Sequence, residues 1–481
     1  MATRPAVLRF PLARSTAVLA VAAALSGCAA GPDFVRPAPA SPPGYLAGSQ
    51  PVALGAGEGE PAQRLADGKA IEADWWRLFG SPPLQGLVEQ AIAGNYTLAA
   101  AKATLVQAHE AVKEARAAYW PWLDAGFQVQ GEANVFRIGP TVSYMPDVFG
   151  LTRRRVEQQQ ALADSQRYQV AAAWLALTGN TVMEAINAAS LHAQIAAVED
   201  IIAQDEKDVD LVRRRYEAGK VARADLLTAE SILANDKTLL APLRQQWAVS
   251  RDALCVLVGT LPGECSPPDL DLAGLQLPGE LPLSLPSAFA RQRPDILAAE
   301  AQMHAANAAV GISVAEMYPS VTLSASGGFE SDSLSSLVEG SKLAWSLASG
   351  VSVPVFHGGA QVARNKGAIA AYDATFATYR QVVVEAFAQV ADTLQALEHD
   401  AELVEAQKKA FDVSSASLAL QREIYRAGKA DLLQLLTAER AYQQARLGYV
   451  KALGQRHLDT AQLFVALGGG WWDAPEAGSG G

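Results

Sequence analysis

The chain contains one short sequence twice, 209 residues apart along its 481 residues. The first copy runs from Tyr216 to Glu230 and the second from Tyr425 to Glu439, and nine of the fifteen positions are identical. Both read Tyr-x-Ala-Gly-Lys and end in Leu-Leu-Thr-Ala-Glu. Because glycine takes up the left-handed backbone that ends helices, and a following lysine suits the last carbonyls, each copy predicts a turn between helices. An ordinary helix–helix turn would need the glycine alone, so the longer match indicates a duplicated helical hairpin.

Composition permits a large core and excludes one class of partner. Half of the residues are apolar and 19% are charged, and the length suggests two to four domains. The net charge is −11. Nucleic acid is therefore not an expected partner, because binding it requires a basic face.

The first 27 residues are typical of a signal peptide. Arg4, Arg9 and Arg14 precede a short apolar run from Ala17 to Leu25, which is too short to span a membrane as a helix. Leu-Ser-Gly-Cys then resembles the bacterial lipobox, and predicts lipidation of Cys28. No aspartate follows this cysteine, which favours the outer membrane as the destination. The alternative is an ordinary secretory signal with a chance cysteine.

Two further cysteines, Cys255 and Cys265, stand ten residues apart. In an oxidising compartment they can form a disulfide, or they can remain two free structural thiols. Spacing alone does not decide between these states, because bond formation depends on geometry.

Each half of the chain changes from a helical to an alternating pattern. Residues 28–83 predict an extended, mostly irregular segment, apart from a Trp75-Trp76 pair expected to pack against the body. A single helical pattern follows from Leu84 to Ala118. Alternating apolar and polar residues then predict β-hairpins over 122–149 and 320–356. Strands of about ten residues suit a transmembrane barrel, but a soluble sheet with one wet face gives the same pattern.

Long helices follow each predicted hairpin. No proline occurs between Pro146 and Pro242, or between Pro354 and Pro475. The helices are expected to turn at 216–225 and at 425–434 and to pack along one another. The expected organisation is a first repeat over 84–262, a linker over 263–284, a second repeat over 285–467 and a tail over 468–481.

Four strands per chain cannot close a barrel, and open strand edges are not tolerated in lipid. A membrane sheet of this kind therefore requires several copies of the chain. Three copies would supply about twelve strands, more than the roughly eight that side chains alone can fill.

Several motifs together resemble the outer membrane factors of tripartite efflux and secretion systems, the TolC/OprM/NodT-like proteins. The resemblance covers nearly the whole mature chain and rests on both Tyr-x-Ala-Gly-Lys turns and on the segments Gly27–Phe34, Trp75–Gly80, Arg291–Ile296, Met317–Ser320, Pro354–Gly359 and Ala466–Trp471. It implies a mixed α+β membrane protein: a homotrimer with a twelve-stranded outer-membrane barrel, continuous with a long helical periplasmic barrel. The implied partners are outer-membrane lipid, a periplasmic membrane-fusion adaptor and an inner-membrane pump of the RND or another type.

In this family the two turns form the periplasmic tip, where the duct is closed at rest. The residues expected at this tip and gate are Arg215, Tyr216, Gly219, Asp225, Tyr425, Gly428 and Gln434. Thr228 and Thr437 stand where the family often has aspartate, which leaves Glu230 and Glu439 as possible tip acids. Polar contacts that can be exchanged suit a closure with two states.

Residues for catalysis are not apparent. The six histidines are not at metal-ligand spacing, and there is no nucleophile elbow and no phosphate loop. The expectation is a passive exit channel for drugs or other small solutes, not an enzyme, with no cofactor or metal. Two alternatives are an exit channel for type I protein secretion and a periplasmic adaptor lipoprotein. Adaptors lack the paired alternating strands and the duplicated half.

Overall fold

The structure is a computed structural model, and it describes residues 30–40, 42–46, 53–54, 62–69, 71–130, 135–337, 343–429 and 431–473. The chain forms two compact units. The first comprises the chain before Pro39 together with Ala103–Arg167 and Ala298–Gln381. The second comprises Pro39–Lys102, Tyr168–Leu297 and the chain from Val382 onward. Each unit therefore takes residues from both sequence repeats. The predicted signal peptide and Cys28 lie outside the described residues.

The first unit contains a four-stranded antiparallel sheet with the strand order β3-β4-β6-β7. Its strands are β3 (Trp122–Gln130), β4 (Val135–Tyr144), β6 (Ser320–Ser331) and β7 (Leu343–Ser352). They have 9 to 12 residues, and they fall within the two hairpins expected from the alternating pattern. Strands β3 and β7 form the two edges of the sheet.

The register places the apolar residues of all four strands on one face. In antiparallel strands, directly paired residues share a face. Three pairings lie in one row across the sheet: Phe127 with Ile138, Ile138 with Phe329, and Phe329 with Leu343. The opposite face carries small and polar residues. Gly139 and Gly328 lie there, and a Cβ atom on Gly328 would stand 2.8 Å from the Cα atom of Gly139.

Four helices make up the two long hairpins. Helix α3 spans Leu151–Glu217 and helix α7 spans Ala360–Arg426, each with 67 residues. Each is therefore about 100 Å long at 1.5 Å per residue. Helix α4 (Arg223–Val258) follows the first turn, and helix α8 (Leu432–Ala466) follows the second. No helix in the described part of the chain is both long enough and apolar enough to cross a membrane.

One helix was expected from Leu84 to Ala118, and this expectation was wrong, because the structure has two helices there. Helix α1 (Pro82–Gly94) ends at Asn95, whose backbone is extended, and helix α2 spans Tyr96–Ala117. The Asn95 side chain accepts from the N–H of Leu98 at 3.0 Å and donates to the carbonyl of Leu257 at 2.9 Å. Asn95 therefore caps the second helix while it holds the break against helix α4.

The segments expected to be irregular contain a second sheet. Strands β1 (Ala53–Leu54), β2 (Gln63–Asp67) and β5 (Glu280–Leu283) form it in that order, with β2 parallel to β5. The expectation of a mostly irregular segment over 28–83 did not include β1 and β2, and the expectation of a linker over 263–284 did not include β5. The two parallel strands lie more than 200 residues apart in sequence, and they are too short for a clear period-two signal.

The Trp75-Trp76 pair is buried, as expected. Trp75 stacks on Phe464, with 5.1 Å between the ring centroids, and Trp76 lies near Trp174. The pair begins a 3-10 helix, Trp75–Phe79, which ends at Gly80 in the left-handed conformation. A short helix α5 (Pro286–Phe289) precedes helix α6 (Pro294–Ala315). In the second unit, Arg293 donates to the carbonyl of Ala466 at 2.7 Å and so fixes the end of helix α8.

Candidate functional site

The two duplicated turns have the same backbone structure. Gly219 and Gly428 each have a φ of 69°, in the left-handed region that favours glycine. In the first turn the N–H of Lys220 donates to the carbonyl of Arg215 at 2.9 Å. In the second, the N–H of Lys429 donates to the carbonyl of Ile424 at 3.0 Å. These bonds satisfy carbonyls at the ends of the helices, and the left-handed residue that they require accounts for the glycine in both copies.

The helices that follow the turns are capped by different residues. Asp225 accepts from the N–H of Ala222 at 3.0 Å and so stabilises the start of helix α4. Gln434 is the counterpart of Asp225. In the second turn Asp431 caps helix α8, and accepts from the N–H of Gln434 at 2.8 Å. The two caps therefore satisfy different N–H groups: that of the residue before the helix in the first turn, and that of the third helical residue in the second.

The threonines of the two duplicated turns bond within their own helices. The hydroxyl of Thr228 donates to the carbonyl of Ala224 at 2.8 Å. The hydroxyl of Thr437 donates to the carbonyl of Leu433 at 2.7 Å. Both side chains are exposed. Neither threonine supplies the negative charge that an aspartate would place there.

Arg215 joins the two hairpins through Tyr425. Its guanidinium carbon lies 4.2 Å from the centroid of the Tyr425 ring, and its Nη2 donates to the Tyr425 carbonyl at 3.2 Å. Tyr425 is 3% exposed, whereas its counterpart Tyr216 is 39% exposed. The structure therefore brings two of the expected gate residues together, and leaves Tyr216 available at the surface of the first turn.

Tyr425 belongs to an apolar cluster between the hairpins, which we call the tip core. Each of the four long helices contributes to it. Its buried members are Val209, Val212, Ala229, Leu418, Tyr425, Leu432, Leu435 and Leu436. The cluster is the main apolar contact near the turns, so separating the hairpins there requires exposing it to water.

An arginine–glutamate pair is duplicated with the turns. Arg213 contacts Glu230 at 2.9 Å, and 209 residues later Arg422 contacts Glu439 at 3.3 Å. The first pair is solvent-exposed and the second is not, since the Glu439 side chain is 4% exposed. Arg422 also lies 3.5 Å from Asp208. The two possible tip acids thus occupy equivalent positions in very different surroundings.

The sequence did not point to the acidic residues around Glu439. Asp205, Asp208, Asp236 and Glu439 lie together, and we call them the carboxyl cluster. Gln443 donates from its amide nitrogen to Asp205 at 3.3 Å and to Asp236 at 3.0 Å. Burial, assisted by Asp236 and Asp208 and opposed by Arg422, raises the pKa of Asp205 to about 8. Burial and the adjacent Asp208 raise the pKa of Glu439 to about 9.

The start of the described chain is held against helix α3. Arg154 is 2% exposed, and it donates to the carbonyls of Ala30 and Gly31 at 3.0 and 3.1 Å. It also contacts Asp33 at 2.8 Å and Glu157 at 2.7 Å. These contacts fix the chain two residues after the predicted lipidation site.

Cys255 and Cys265 are joined by a disulfide, with 5.8 Å between their Cα atoms. The bond links the end of helix α4 to the connector that follows. Within the described residues, no group of three or more histidines, cysteines, aspartates or glutamates has an arrangement that could hold a metal ion.

Comparison with known proteins gives consistent matches along the chain. The sequence model of a family described as "Outer membrane efflux protein" matches residues 87–260 and 285–469. The toluene efflux pump outer membrane protein TtgF of Pseudomonas putida is 28% identical over 474 residues, which cover 94% of this chain and 96% of that protein.

Two solved structures have the same fold over nearly their whole length. The outer-membrane channel OprN is 26% identical with a TM-score of 0.82, over 92% of this chain and 100% of that one. The open state of the MtrE outer membrane channel of Neisseria gonorrhoeae is 25% identical with a TM-score of 0.80, over 92% and 99%. The mixed α+β fold class expected from the sequence is confirmed by these neighbours.

Proposed function

This chain belongs to the outer membrane efflux protein family and is an outer-membrane exit channel, and we propose that three copies of it form the passive duct of a tripartite efflux pump. The observation that carries the proposal is the four-stranded sheet with one apolar face and two unpaired edges. A sheet cannot keep open edges within lipid.

Trimerisation removes those edges. Three sheets of four strands give twelve strands when β7 of one copy pairs with β3 of the next. The apolar residues on the edges are strongly exposed in one chain: Leu347 is 75% exposed and Trp345 is 79% exposed on β7. In a closed barrel this face would meet lipid, and the face with small and polar residues would line the lumen.

The lumenal face suits passive passage of small solutes. It carries Thr141, Ser326 and Ser346 among glycines, and Arg137 pairs with Glu330 there at 2.5 Å. Short neutral side chains leave room and bind solutes weakly. Transport selectivity would therefore be set by the pump, and we propose drugs or other small solutes as the cargo. The relative TtgF, named for toluene efflux, supports a solute over a protein cargo.

The two turns are the proposed docking points of a periplasmic adaptor, which would link the duct to an RND-type inner-membrane pump. Leu227 is 54% exposed next to the first turn, and Leu433 is 70% exposed next to the second. Exposed leucines beside the turns offer apolar contacts that a partner can bury. We also propose that Cys28 carries the lipid. The hydrogen bonds from Arg154 to the carbonyls of Ala30 and Gly31 would then hold the chain close to its lipid anchor.

Substitutions on the two faces of β7 test the barrel. Leu347→Lys places a charge on the apolar face, where lysine near the membrane midplane costs about 2–4 kcal/mol. It should strongly reduce the heat-modifiable trimer in outer-membrane fractions. Ser346→Lys, the matched control on the opposite face, should leave the trimer intact and lower the cation selectivity of its conductance in planar bilayers. Equal loss of trimer in both variants would overturn the proposal. So would a chain without substitutions that stays monomeric in the outer membrane.

Cross-linking in intact cells tests the partners. Recovery of an adaptor together with a proton-driven pump supports solute efflux. Recovery of an adaptor with an ATP-driven exporter would move the function to protein secretion.

A further inference from the structure

The carboxyl cluster lies where the two hairpins pack against each other. Asp205 and Asp208 come from helix α3, Asp236 from helix α4 and Glu439 from helix α8. Asp205 and Glu439 are 4% and 3% exposed. Asp208 and Asp236 are half-buried. The cluster therefore brings together four carboxyl groups from both hairpins, two of them almost fully buried.

The cations around the cluster are too few to balance it. Arg422 of helix α7 contacts both Asp208 and Glu439. The other nearby cations have carboxylates of their own: Arg446 contacts Asp200 at 2.5 Å, and Lys237 contacts Glu206 at 2.8 Å. Lys207 lines the same open cavity, of about 320 Å³, as Asp200 and Asp205. Among the described residues, Arg422 is thus the one cation in an ion pair with the cluster, and it contacts two of the four carboxyl groups.

Few hydrogen-bond donors reach the cluster from the described residues. One amide nitrogen of Gln443 serves both Asp205 and Asp236. Arg422 donates to Glu439 at 3.3 Å, and Gln204 donates to Asp208 at 3.1 Å. Buried carboxylates that share donors repel one another, and the repulsion is relieved when one of each pair is protonated. In separated hairpins Asp205 and Glu439 would be hydrated and would ionise at the ordinary carboxyl pKa of about 4.

We propose that the packed hairpins retain protons on the carboxyl cluster and release them when they part, so that this contact is a pH-sensitive latch on the closed tip. The inference rests on the proposed function, in which the turns form the closed end of the duct. The latch lies beside the tip core, because Leu418 belongs to that core and also lines the cavity at Asp205. Loss of the protons would therefore weaken the packing that keeps the hairpins together.

The sign follows from the protons that the two states bind. The packed state binds more protons than the parted state, so acid favours packing. The window runs from the ordinary carboxyl pKa of about 4 to about pH 8 for Asp205 and about pH 9 for Glu439. Within it, the ratio of packed to parted hairpins falls by up to about tenfold per pH unit for each proton released. Above this window, a further rise in pH has no effect through these groups.

A cysteine in the tip core reports the parting directly. Ala229 is 3% exposed within that core, and Ala229→Cys is a small change. A hydrophilic maleimide labels this cysteine in the purified full-length protein, and the labelling rate is measured. The labelling ratio is this rate divided by the rate for Ala427→Cys, a cysteine at an exposed position beside the second turn. The ratio cancels the intrinsic pH dependence of the thiol, and peptide mass spectrometry identifies the labelled site. We expect the labelling ratio to rise several-fold or more from pH 5 to pH 8.

Neutral substitutions separate the latch from other effects of pH. Asp205→Asn and Glu439→Gln imitate the protonated acids, and each should flatten the rise in the labelling ratio. Asp210→Asn is the matched control, since Asp210 is an exposed acid on the same helix that pairs with Arg214. It should leave the rise unchanged. Two variants are used so that poor folding of one does not decide the result, and trimer content is checked in each.

The outcomes distinguish the latch from the duct. A labelling ratio that does not change with pH in the parent protein would overturn the latch. So would a ratio that rises as much in Asp205→Asn and in Glu439→Gln as it does in the parent protein. Conductance in planar bilayers is measured on the same preparations. Conductance with a flat labelling ratio would leave the duct standing without the latch. A pH-dependent ratio without conductance at any pH would show that the hairpins part with pH but do not close a duct, which would overturn the proposed function and the role of the latch in it.

Discussion

The guanidinium of Arg215 lies over the ring of Tyr425, with 4.2 Å from its central carbon to the ring centroid. Arg215 belongs to the first hairpin and Tyr425 to the second, so this contact joins the two hairpins. Tyr425 is buried in the tip core and Arg215 also bonds to its carbonyl. A cation over an aromatic ring, with one hydrogen bond, is a contact that can break and re-form as the hairpins move.

Loss of this contact should loosen the tip. Arg215→Ala removes the cation–ring contact, worth about 0.5–2 kcal/mol, together with the hydrogen bond. We expect the resting conductance of the trimer in planar bilayers to increase by up to about tenfold. Arg214→Ala is the control, because Arg214 is exposed and pairs with Asp210 on its own helix. Unchanged conductance in Arg215→Ala would show that the contact does not hold the tip closed.

The turn glycines should resist substitution because of backbone strain alone. A Cβ atom at Gly219 would meet no atom within 4 Å, but its φ of 69° costs about 1–2 kcal/mol for most other residues. Gly219→Ala should therefore lower local stability at the turn, measured by hydrogen exchange of the neighbouring amides, and Gly219→Asn should lower it less. Gly367→Ala, within helix α7 and also in open space, should instead stabilise its helix by about 0.5–1 kcal/mol. A loss of the same size at both glycines would contradict this explanation.

The disulfide should stabilise the end of helix α4. Cys255 and Cys265 are ten residues apart, and closing a loop of that size contributes about 2–3 kcal/mol in the chain-entropy description. The double variant Cys255→Ser, Cys265→Ser should unfold at a lower temperature than the oxidised protein, and reductant should no longer change its midpoint. Equal midpoints for the oxidised protein and the double variant would exclude a stabilising role.

A second pair of acids gives the protein a pH-dependent stability away from the carboxyl cluster. Burial and the neighbouring Asp459 raise the pKa of Asp400 to about 8, against the opposing effect of Arg456. The folded protein therefore holds a proton that the unfolded chain gives up above pH 4, and stability should fall as the pH rises from about 4 to about 8. Asp400→Asn should reduce this slope in denaturant unfolding curves measured across that range. Asp412→Asn, at an exposed ion pair with Lys408, should keep it.

Local sequence signals predicted much of the fold. The two glycines at the turns, the alternating strands and the proline-free runs can each be recognised within one continuous stretch of sequence, and the structure has turns, strands and long helices in those places. The pairing of β2 with β5 was missed because it depends on contacts between residues more than 200 apart. The break at Asn95 was missed because its cause is a distant carbonyl, that of Leu257.

The candidate site was predicted in part. The duplicated turns and Arg215 were identified from the sequence, and the Arg422–Glu439 pair repeats at the same spacing as Arg213–Glu230. That shared spacing was a signal that could have pointed to the second pair. The burial of Asp205 has no such signal. Acids scattered along a helix look solvated, and their burial depends on which face meets the other hairpin.

The different caps of the two turns also determine the symmetry that a partner meets. Asp225 caps from inside its helix and Asp431 from the residue before it, while Tyr216 is exposed and Tyr425 is buried. A trimer of this chain is accordingly threefold at its turns and not sixfold. Three copies of a binding domain that recognises one kind of turn could bind to each trimer. Six copies could bind only if the domain does not distinguish the two kinds of turn.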